Sequence, residues 1–415
     1  MREQLFEFAV VGAGASGLMA AGETVQAGST LVLEAKQKPG KKLLATGNGR
    51  CNLGNRFVSP ARYHGDADRA ASVLERFPPE KLEAFWRQNG LLCRELEEGR
   101  LYPYGLQASS VLECLLRRVE GFGGEVRCSF PVEEIRREGE GFLLSGPEGQ
   151  VRARRVILAC GGMASPPLGG GPLGYQLARS LGHTVTPLFP VLAPLAVPPA
   201  RVKAMKGARS GAEVSLWAGG RGLASARGEV QFTESGLSGI CVFEVSRAYG
   251  ALSETEKKTV ELSLCLMPEY GPGEIYNLLR TAAASPVLPA QELLDGFLNR
   301  LVGRELLRRA VGELPALARQ LKRPQLSAIA AKIRDFRFPV TGTGGWQSAQ
   351  ATAGGVPLSQ VNVSTMESRS CPGVYLTGEL LNVDGDCGGF NLHWAWATGL
   401  LAGRSAASAA RSSQK

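Results

Sequence analysis

Apolar residues follow different periods in different parts of the chain, and each period predicts a different element. The apolar run at 8–11 and the segment 29–35, with its apolar stretch at 31–33, predict two parallel strands. Apolar residues at helical spacing over 67–90 and 107–124 predict amphipathic helices. Short β-type runs follow over 125–162, and the last is an apolar strand that ends in two glycines. Strands that alternate with helices in this way predict an α/β fold with a parallel sheet.

The pattern changes in the middle of the chain, after a proline-rich stretch. Alternating residues over 214–231 predict β-strands, and the turn-rich segment 232–239 leads into a helix. Leucine-rich amphipathic patterns over 273–336 predict further helices. We therefore predict an inserted domain with these bounds: 191–343 as a whole, 191–267 for a β part and 268–343 for a helical part.

A glycine fingerprint lies between the first two predicted strands. Gly12, Gly14 and Gly17 form GxGxxG, and Ala15 and Ser16 stand between the last two glycines. In a dinucleotide-binding unit these glycines permit a tight turn, a close approach to the pyrophosphate and close packing of helix on strand. The free N–H groups at the helix start then bind phosphate oxygens. We predict a dinucleotide site here, with a purely structural turn as the alternative.

An acidic residue at the end of the second strand narrows the choice of nucleotide. Glu34 lies about 20 residues beyond the fingerprint, where a carboxylate can bind both hydroxyls of an adenosine ribose. A carboxylate at this position repels a 2′-phosphate. The site therefore suits FAD or NAD and not NADP.

A long glycine-rich, basic loop follows over 38–55. An NAD dehydrogenase usually continues from its second strand into another helix, whereas FAD-binding chains of the glutathione-reductase class run an extended loop towards the flavin. Asn48 and Gly49 permit unusual backbone angles, and Lys42 and Arg50 supply positive charge. The loop favours FAD, and an exposed basic loop without a function is the alternative.

A second GxGxxG match consists of Gly169, Gly171 and Gly174 and precedes another helix. The context differs from that of a nucleotide-binding unit, because a Ser-Pro-Pro sequence precedes the match and no strand leads into it. We interpret it as a loop that faces cofactor or substrate. A second nucleotide-binding fold is the alternative.

The end of the chain has an arrangement like that of its beginning. An apolar strand ends in Gly378 and Glu379, and the turn Gly388–Asn391 then begins a helix. We expect the last strand and helix to return to the first sheet and to bind the flavin half of FAD. Glu379 is placed to bind a ribityl hydroxyl, and the helix dipole can stabilise negative charge on reduced flavin. We predict one discontinuous, Rossmann-like FAD-binding domain of the glutathione-reductase type, formed by 1–190 and 344–415.

Composition and charge add limits on compartment and partners. The 415 residues are 44% hydrophobic and 20% charged, as is typical of a globular protein of two or three domains. The net charge of +9 favours anionic partners, but the charges are dispersed, which argues against nucleic acid. Nine scattered cysteines without zinc spacing indicate a reducing compartment and no metal site. With no signal peptide and no apolar run of about 20 residues, we expect a cytoplasmic protein without a membrane partner.

Five longer motifs span nearly the whole chain: VVGAGASGLMAA, GKKLLATGNGRCN, FTESGLSG, ATAGGVPLSQVN and GELLNVDGDCGGFNLHWAWATG. Together they resemble the BaiN-like family of NAD(P)/FAD-dependent oxidoreductases, which are mostly uncharacterised bacterial flavoproteins. TGNGRCN and DGDCGGFNLHWAWATG are the specific matches. One class in the family is similar to a bile-acid 3-dehydro-4,6-reductase, and others are labelled aminoacetone-oxidase-like.

The resemblance implies FAD as the cofactor and NADH or NADPH as a transient electron donor. The sequence departs from the family pattern at Asn382, where Asp is common, at His393, where Gln is usual, and before Tyr175, where an acidic residue is often present. Because these positions could alter substrate choice, the bile-acid activity is not carried over. The resemblance and the motifs give these candidate FAD contacts: Gly12, Gly14, Ala15, Ser16, Gly17, Glu34, Ala35, Lys36, Lys42, Asn48, Gly49, Arg50, Cys51, Asn52, Val132, Ala159, Cys160, Gly161, Gly378, Glu379, Asp384, Gly388, Gly389, Phe390 and Asn391.

We expect a flavin reductase that passes hydride from NAD(P)H through flavin N5 to an unsaturated small or steroid-like acceptor held by the inserted domain. Two alternatives stay open: an oxidase of a small amine or other metabolite, and a flavoprotein acting on RNA, which needs a basic stripe with aromatic residues. Reduction of a C=C bond also needs a proton donor. The histidines His64, His183 and His393 and the thiols of Cys51 and Cys387 are candidates, but a packing role is the stronger interpretation for His393 and both cysteines. The sequence assigns no catalytic residue and leaves the oligomeric state open.

Overall fold

The computed structural model describes residues 5–413. Within this range the strands, in chain order, are β1 (Leu5–Val11), β2 (Thr30–Leu33), β3 (Gly54–Asn55), β4 (Tyr63–Gly65), β5 (Cys93–Glu95), β6 (Arg100–Pro103), β7 (Glu125–Arg127), β8 (Glu134–Glu138), β9 (Gly141–Gly146), β10 (Gly149–Leu158), β11 (Phe189–Val191), β12 (Leu195–Ala196), β13 (Arg209–Ala218), β14 (Arg221–Phe232), β15 (Gly236–Ser238), β16 (Val260–Cys265), β17 (Phe336–Pro339), β18 (Gly342–Thr343), β19 (Ala351–Ala353), β20 (Val361–Asn362), β21 (Glu367–Ser368), β22 (Val374–Leu376) and β23 (Val383–Gly385).

The α-helices in the same range are α1 (Ala15–Thr24), α2 (Lys41–Ala45), α3 (Ala67–Arg76), α4 (Pro79–Gln88), α5 (Ala108–Glu120), α6 (Leu173–Ser180), α7 (Ile240–Gly250), α8 (Glu254–Lys257), α9 (Pro272–Ala283), α10 (Arg300–Val311), α11 (Arg323–Arg334), α12 (Gly345–Ser348) and α13 (Phe390–Ser413). None of these helices within 5–413 has both the length and the apolar character that crossing a bilayer requires.

The described chain forms two compact units. The first unit comprises residues 5–189 and 351–413, and the second comprises 190–350. Residues 344–350 lie in the second unit, although the sequence analysis placed them with the first. The difference arises because the glycines that return after residue 339 favour the FAD-binding domain by composition, whereas α12 still belongs to the second unit.

The first unit is built on a parallel sheet with strand order β22-β10-β1-β2-β7. Strand β9 pairs antiparallel with the first half of β10, and β8 pairs with β9. The apolar runs of the two predicted strands are buried, with β2 fully so. This arrangement confirms the predicted discontinuous Rossmann-like domain, because β1 and β22 come from opposite ends of the chain and share one sheet.

Helix α13, from the last segment, packs directly against α1, from the first. Gly399 and Gly403 lie one helical turn apart and face α1. A Cβ atom at Gly399 would lie 2.5 Å from the carbonyl oxygen of Ser16, and one at Gly403 would lie 2.5 Å from that of Ala20. Since no real Cβ fits at these distances, glycine allows the two backbones to approach.

Two small sheets in the first unit contain strands next to the predicted FAD-binding segments 38–55 and 388–391. Strand β23 pairs with β4, and β6 pairs with both β3 and β5. The segment 38–55, predicted as one extended loop, contains the short helix α2 and a tight turn over 46–49. Helix α2 contacts α5, and this tertiary contact has no local signal in the sequence.

The second unit has an antiparallel sheet with strand order β17-β16-β13-β14-β15-β12-β18. Its division differs from the predicted one. Helix α7 is the helix predicted to follow 232–239, and it packs on β14 within the predicted β part. Strands β17 and β18 lie within the predicted helical part and return to the sheet. Strand β17 is short, and its Phe336 and Phe338 are buried against each other at 4.7 Å between ring centroids, so the chain there follows tertiary packing.

The contact between α1 and α13 generates a stability prediction. We expect Gly403→Ala to lower the free energy of unfolding by about 1–3 kcal/mol, because the added methyl group forces the two helices apart. Gly273→Ala is the matched control: this helical glycine of α9 has no atom within 4 Å of a Cβ, so its replacement should leave stability unchanged or slightly raised. Urea unfolding measures both, and equal stability of the two variants would contradict the account.

Candidate functional site

The first glycine loop joins β1 to α1. Gly12 has φ +107°, and a Cβ there would overlap the carbonyl oxygen of Ala159. A Cβ at Gly17 would overlap the carbonyl oxygen of Gly12, so α1 packs directly on the turn. A Cβ at Gly14, in contrast, would meet nothing within 4 Å. The backbone at Gly14 is therefore open to a ligand, as the fingerprint predicts.

Helix α1 begins at Ala15 and Ser16 without a side-chain cap on its N-terminus. The Thr377 hydroxyl donates a hydrogen bond of 3.0 Å to the Ser16 hydroxyl. Thr377 directly precedes Gly378, so the first loop and the end of β22 meet at this pair of hydroxyls. The helix start keeps its free N–H groups available to phosphate oxygens.

Glu34 is held in a fixed position at the end of β2. Its two carboxylate oxygens accept hydrogen bonds of 2.8 Å from the N–H groups of Ala13 and Lys36. Its carbonyl oxygen accepts from the N–H of Phe130, which joins the segment after β7 to the same place. Val132, buried two residues later, lies on that segment. The carboxylate thus lies beside the fingerprint, as the ribose-binding hypothesis requires.

The segment Ala159–Gly161 forms the other wall of the first loop. The Ala159 N–H donates to the carbonyl oxygen of Val11, and Gly161 adopts φ +72° with open space at its Cβ position. Burial, and secondarily the charge of Glu34, raises the pKa of the Cys160 thiol to about 12. Cys160 is therefore an uncharged packing residue at neutral pH.

Glu379 lies at the centre of a second cluster. Its Oε2 pairs with Nζ of Lys42 at 2.6 Å, across 337 positions of sequence. Its Oε1 is buried and has no hydrogen-bond partner among the residues that the structure describes. A Cβ at Gly162 would lie 2.6 Å from this Oε1. An unpartnered buried carboxylate oxygen is costly, so it marks a place where a ligand hydroxyl fits.

The turn over 46–52 lies beside the start of α13. Asn48 adopts φ +55° and Cys51 φ +59°, so this turn is held in a left-handed conformation. Arg50 stacks over the ring of Tyr102 at 5.5 Å. Burial raises the pKa of the Cys51 thiol to about 12, which makes it a packing residue. Gly49 has open space at its Cβ position.

Helix α13 follows two residues, Gly388 and Gly389, whose backbone conformation requires glycine. Gly388 and Gly389 have φ +125° and +101°, and a Cβ at Gly389 would lie 2.6 Å from Oδ1 of Asn52. That Oδ1 is buried and has no partner within residues 5–413. The amide of Asn55 donates a hydrogen bond of 3.0 Å to the carbonyl oxygen of Gly388. Oδ1 of Asn52 is thus a second buried acceptor without a partner, and it lies beside the start of α13.

Three of the predicted FAD contacts, Phe390, Asn391 and Asp384, have side chains that are buried or hydrogen-bonded within the protein. Phe390 is buried, and its carbonyl oxygen accepts from the hydroxyl of Tyr63. The amide of Asn391 is bonded at both ends to the backbone of Gly385. Asp384 is buried within β23. Any contact of Phe390 and Asn391 with a cofactor would therefore come from the backbone at the start of α13.

The departures from the family pattern lie away from open surfaces. His393 is 1% exposed, and its Nε2 donates to the carbonyl oxygen of Phe77 at 2.8 Å. It is a core histidine, in agreement with the stronger sequence interpretation. Oδ1 of Asn382 lies 3.4 Å from the hydroxyl of Thr186. The indoles of Trp394 and Trp396 are buried and donate to backbone carbonyls, so both are core residues.

The second GxGxxG match is a loop. It follows a tight turn over 166–168 and leads into α6, while the preceding strand, β10, ends at Leu158. A Cβ at Gly174 would lie 2.5 Å from the Cβ of Cys160, so this loop packs beside the first one. No strand feeds it, and the alternative of a second nucleotide-binding unit is wrong.

The structure brings most of the predicted residues into two adjacent groups. The first surrounds the fingerprint: Gly12, Gly14, Ala15, Ser16, Gly17, Glu34, Ala35, Lys36, Ala159, Cys160 and Gly161. The second surrounds Glu379 and the start of α13: Lys42, Asn48, Gly49, Arg50, Cys51, Asn52, Gly378, Glu379, Gly388 and Gly389. The Ser16–Thr377 hydrogen bond links the groups. The open Gly14 and the two orphaned oxygens fit an extended dinucleotide that carries hydroxyls and N–H donors, as FAD does.

Sequence reasoning missed several residues that shape the site. Thr352 accepts from the N–H groups of Met163 and Ala164, and with Thr377 it fixes the backbone around Glu379. Single buried threonines give no pattern that sequence could reveal. Asn55, which positions Gly388, could have been found, since it ends the glycine-rich segment 38–55.

Buried His393 generates a pH prediction. Burial lowers its pKa from 6.5 to about 4. The unfolded chain therefore takes up a proton below pH 6.5 while the folded chain does not, and stability falls as the pH drops towards 4. We expect wild type to lose about 2 kcal/mol more than His393→Gln between pH 7 and pH 5 in urea unfolding. Between pH 7 and pH 8 the difference should vanish, and equal acid losses would contradict the assignment.

The sequence is similar to those of several known proteins. Residues 6–405 match the family described as HI0933-like protein Rossmann domain. The chain is 38% identical over 403 residues to a 3-dehydro-bile acid delta(4,6)-reductase of Clostridium scindens, with 96% of this chain and 98% of the relative covered. It is 29% identical over 397 residues to a ribosomal RNA dihydrouridine synthase of Escherichia coli, with 95% and 96% covered.

Solved structures share the fold at low sequence identity. A 3-ketosteroid delta1-dehydrogenase from Sterolibacterium denitrificans has TM-score 0.55 at 13% identity, covering 98% of this chain and 100% of that one. A flavocytochrome c3 fumarate reductase has TM-score 0.51 at 13% identity, covering 98% and 79%. These likenesses support the fold alone. The family match and the 38% identical relative go further: the chain belongs to the HI0933-like family of Rossmann-domain flavoproteins and is a FAD-dependent oxidoreductase, as its resemblance to BaiN-like proteins indicates.

Proposed function

We propose that the protein uses NADH or NADPH to reduce an unsaturated small-molecule acceptor of steroid-like shape at a FAD held by the first unit. The observation that carries the proposal is the 38% identity to a bile-acid reductase over nearly the full length of both chains. The orphaned oxygens of Glu379 and Asn52 support it, because they offer a FAD the hydrogen bonds that the protein leaves unmade.

The FAD would lie along the two groups of residues. Glu34 would bind the adenosine ribose, and the N–H groups at the start of α1, beside Gly14, would bind the pyrophosphate. Oε1 of Glu379 would accept from a ribityl hydroxyl while Lys42 keeps the carboxylate oriented. Oδ1 of Asn52 would accept from a ring N–H. When bound, the flavin supplies hydride transfer, from nicotinamide to N5 and from N5 to an electron-poor carbon.

The start of α13 has a chemical role in this proposal. Its free N–H groups and the positive end of its dipole lie at Gly388–Phe390 and favour negative charge nearby. Reduced flavin carries such charge. The backbone there therefore favours acceptance of the hydride by the flavin. This gives the positive φ angles of Gly388 and Gly389 a functional role.

A second candidate function, reduction of uridine in RNA, rests on a different observation. Two relatives at 29% and 27% identity are ribosomal RNA dihydrouridine synthases. Residues 190–350 hold 20 lysine and arginine residues against 14 acidic residues. Arg280, Arg319, Lys322 and Arg323 are exposed there on adjoining elements and have no ion pair within the described chain. We rank this function second, because the identity to the small-molecule reductase is higher over the same length.

The reductive reaction is tested by the visible spectrum under anaerobic conditions. We expect bound FAD whose absorbance bleaches when NADH or NADPH is added and returns when 4-androstene-3,17-dione is added as a steroid enone. Bound FAD that bleaches only with another metabolite and reoxidises only with oxygen would favour an oxidase. A protein that binds no FAD after reconstitution would overturn the proposal.

The RNA alternative has its own readout. Unmodified ribosomal RNA transcripts are incubated with the reduced protein, and dihydrouridine is measured by mass spectrometry. The proposal predicts turnover of the steroid enone and no dihydrouridine. Dihydrouridine formation without enone turnover would make the second candidate the function.

The role of Glu379 is tested by its affinity for FAD. Glu379→Gln should weaken FAD binding by about tenfold or more, since a hydrogen bond to a charged acceptor contributes about 1.5–3 kcal/mol. Glu234→Gln is the matched control, because Glu234 also pairs with a lysine, Lys206 at 2.8 Å, but is exposed in the second unit. Flavin fluorescence titration measures both. Equal affinities in the two variants would remove Glu379 from the site.

A further inference from the structure

His64 belongs to a charged cluster formed by the pairing of β4 with β23. The ladder sets His64 opposite Asp384 and brings it near Asp386, just after β23. Nε2 of His64 lies 2.8 Å from Oδ1 of Asp386. Nη1 of Arg62 lies 3.2 Å from Oδ2 of the same carboxylate. Both oxygens of Asp386 are thus engaged, and its N–H is bonded to the carbonyl oxygen of Arg62.

This cluster is tied to the start of α13. The hydroxyl of Tyr63 donates to the carbonyl oxygen of Phe390 at 3.0 Å. The guanidinium of Arg62 lies over the Phe390 ring at 5.1 Å. Asp386 itself precedes Gly388 by two residues. The His64–Asp386 pair therefore has a fixed position beside the backbone proposed to contact the flavin.

The other two histidines are committed to the core. His393 gives its Nε2–H to a backbone carbonyl and is 1% exposed. His183 is buried, with its ring nitrogens bonded to Gln360 and Ser368. The His64 side chain, in contrast, is 35% exposed, and its Nδ1 has no partner within residues 5–413. Of the three histidines, only His64 combines a partly exposed side chain with a ring nitrogen that makes no hydrogen bond within residues 5–413.

We propose that His64 is the proton donor of the reduction, with Asp386 as its positioning residue. The inference rests on the proposed function. The hydride bonds to the β-carbon of an enone, the C=C π pair moves onto the carbonyl group as an enolate, and the enolate takes a proton from Nδ1 of the His64 imidazolium. The products are the saturated ketone and neutral His64, which keeps its Nε2–H towards Asp386 and regains its Nδ1 proton from solvent.

The charged groups around His64 suit this role. Asp386 accepts from Nε2–H, which leaves Nδ1 as the nitrogen that gives up its proton. Arg62 holds the second oxygen of Asp386 and prevents the carboxylate from rotating. Asp384 lies opposite in the ladder and is buried.

The test separates the two half-reactions. Wild type and His64→Asn, both loaded with FAD, are reduced with dithionite, and reoxidation is followed by stopped flow with two acceptors. Ferricyanide takes electrons without a carbon-bound proton, whereas 4-androstene-3,17-dione needs one. We expect His64→Asn to reduce the steroid rate by about 10²–10⁴-fold and to leave the ferricyanide rate unchanged.

Controls separate the role of His64 from the fold and from the proposed function. Asp386→Asn should reduce the steroid rate less than His64→Asn, and His183→Gln should reduce neither rate. The flavin spectrum of each variant reports whether the site is intact. Equal steroid rates in His64→Asn and wild type would overturn the role of His64 and spare the proposed function. Failure of reduced wild type to transfer electrons to the steroid would overturn both.

Discussion

The close packing of α1 against α13 joins the two ends of the chain into one unit. Gly399 and Gly403 bring the last helix against the backbone of the first, at distances that exclude any side chain. The same contact places β22 in the sheet of β1 and brings Thr377 to Ser16. Residues separated by more than 300 positions can then form one site. The two glycine-led helices at opposite ends of the chain are therefore halves of one ligand-binding domain.

The site is polar and incomplete by itself. Glu379 and Asn52 each leave a buried oxygen without a partner, and Gly14 leaves its backbone open. Such groups destabilise an empty fold, because a buried polar atom without a hydrogen bond has lost its contact with water. A bound dinucleotide that satisfies them stabilises the first unit as it binds. The proposed FAD would thus contribute to the stability of the domain as well as to its chemistry.

Much of the first unit could be predicted from the sequence, because its signals are local. The GxGxxG turn, the apolar strand runs and the acid at the end of β2 each lie within a few residues of one another. The pairs Lys42–Glu379 and His64–Asp386 could not be predicted, since each joins segments more than 300 residues apart. In the second unit, β17 and β18 follow long helices and return to the sheet for packing reasons, so local helical periodicity misplaced them.

Hydrogen–deuterium exchange with and without FAD can show whether one FAD molecule contacts both ends of the chain. We expect FAD to protect amides in both the segment 12–17 and the segment 388–391, in one saturable transition, while residues 190–350 change little. Protection of the first segment without the second would contradict the claim that the two ends of the chain hold one FAD molecule.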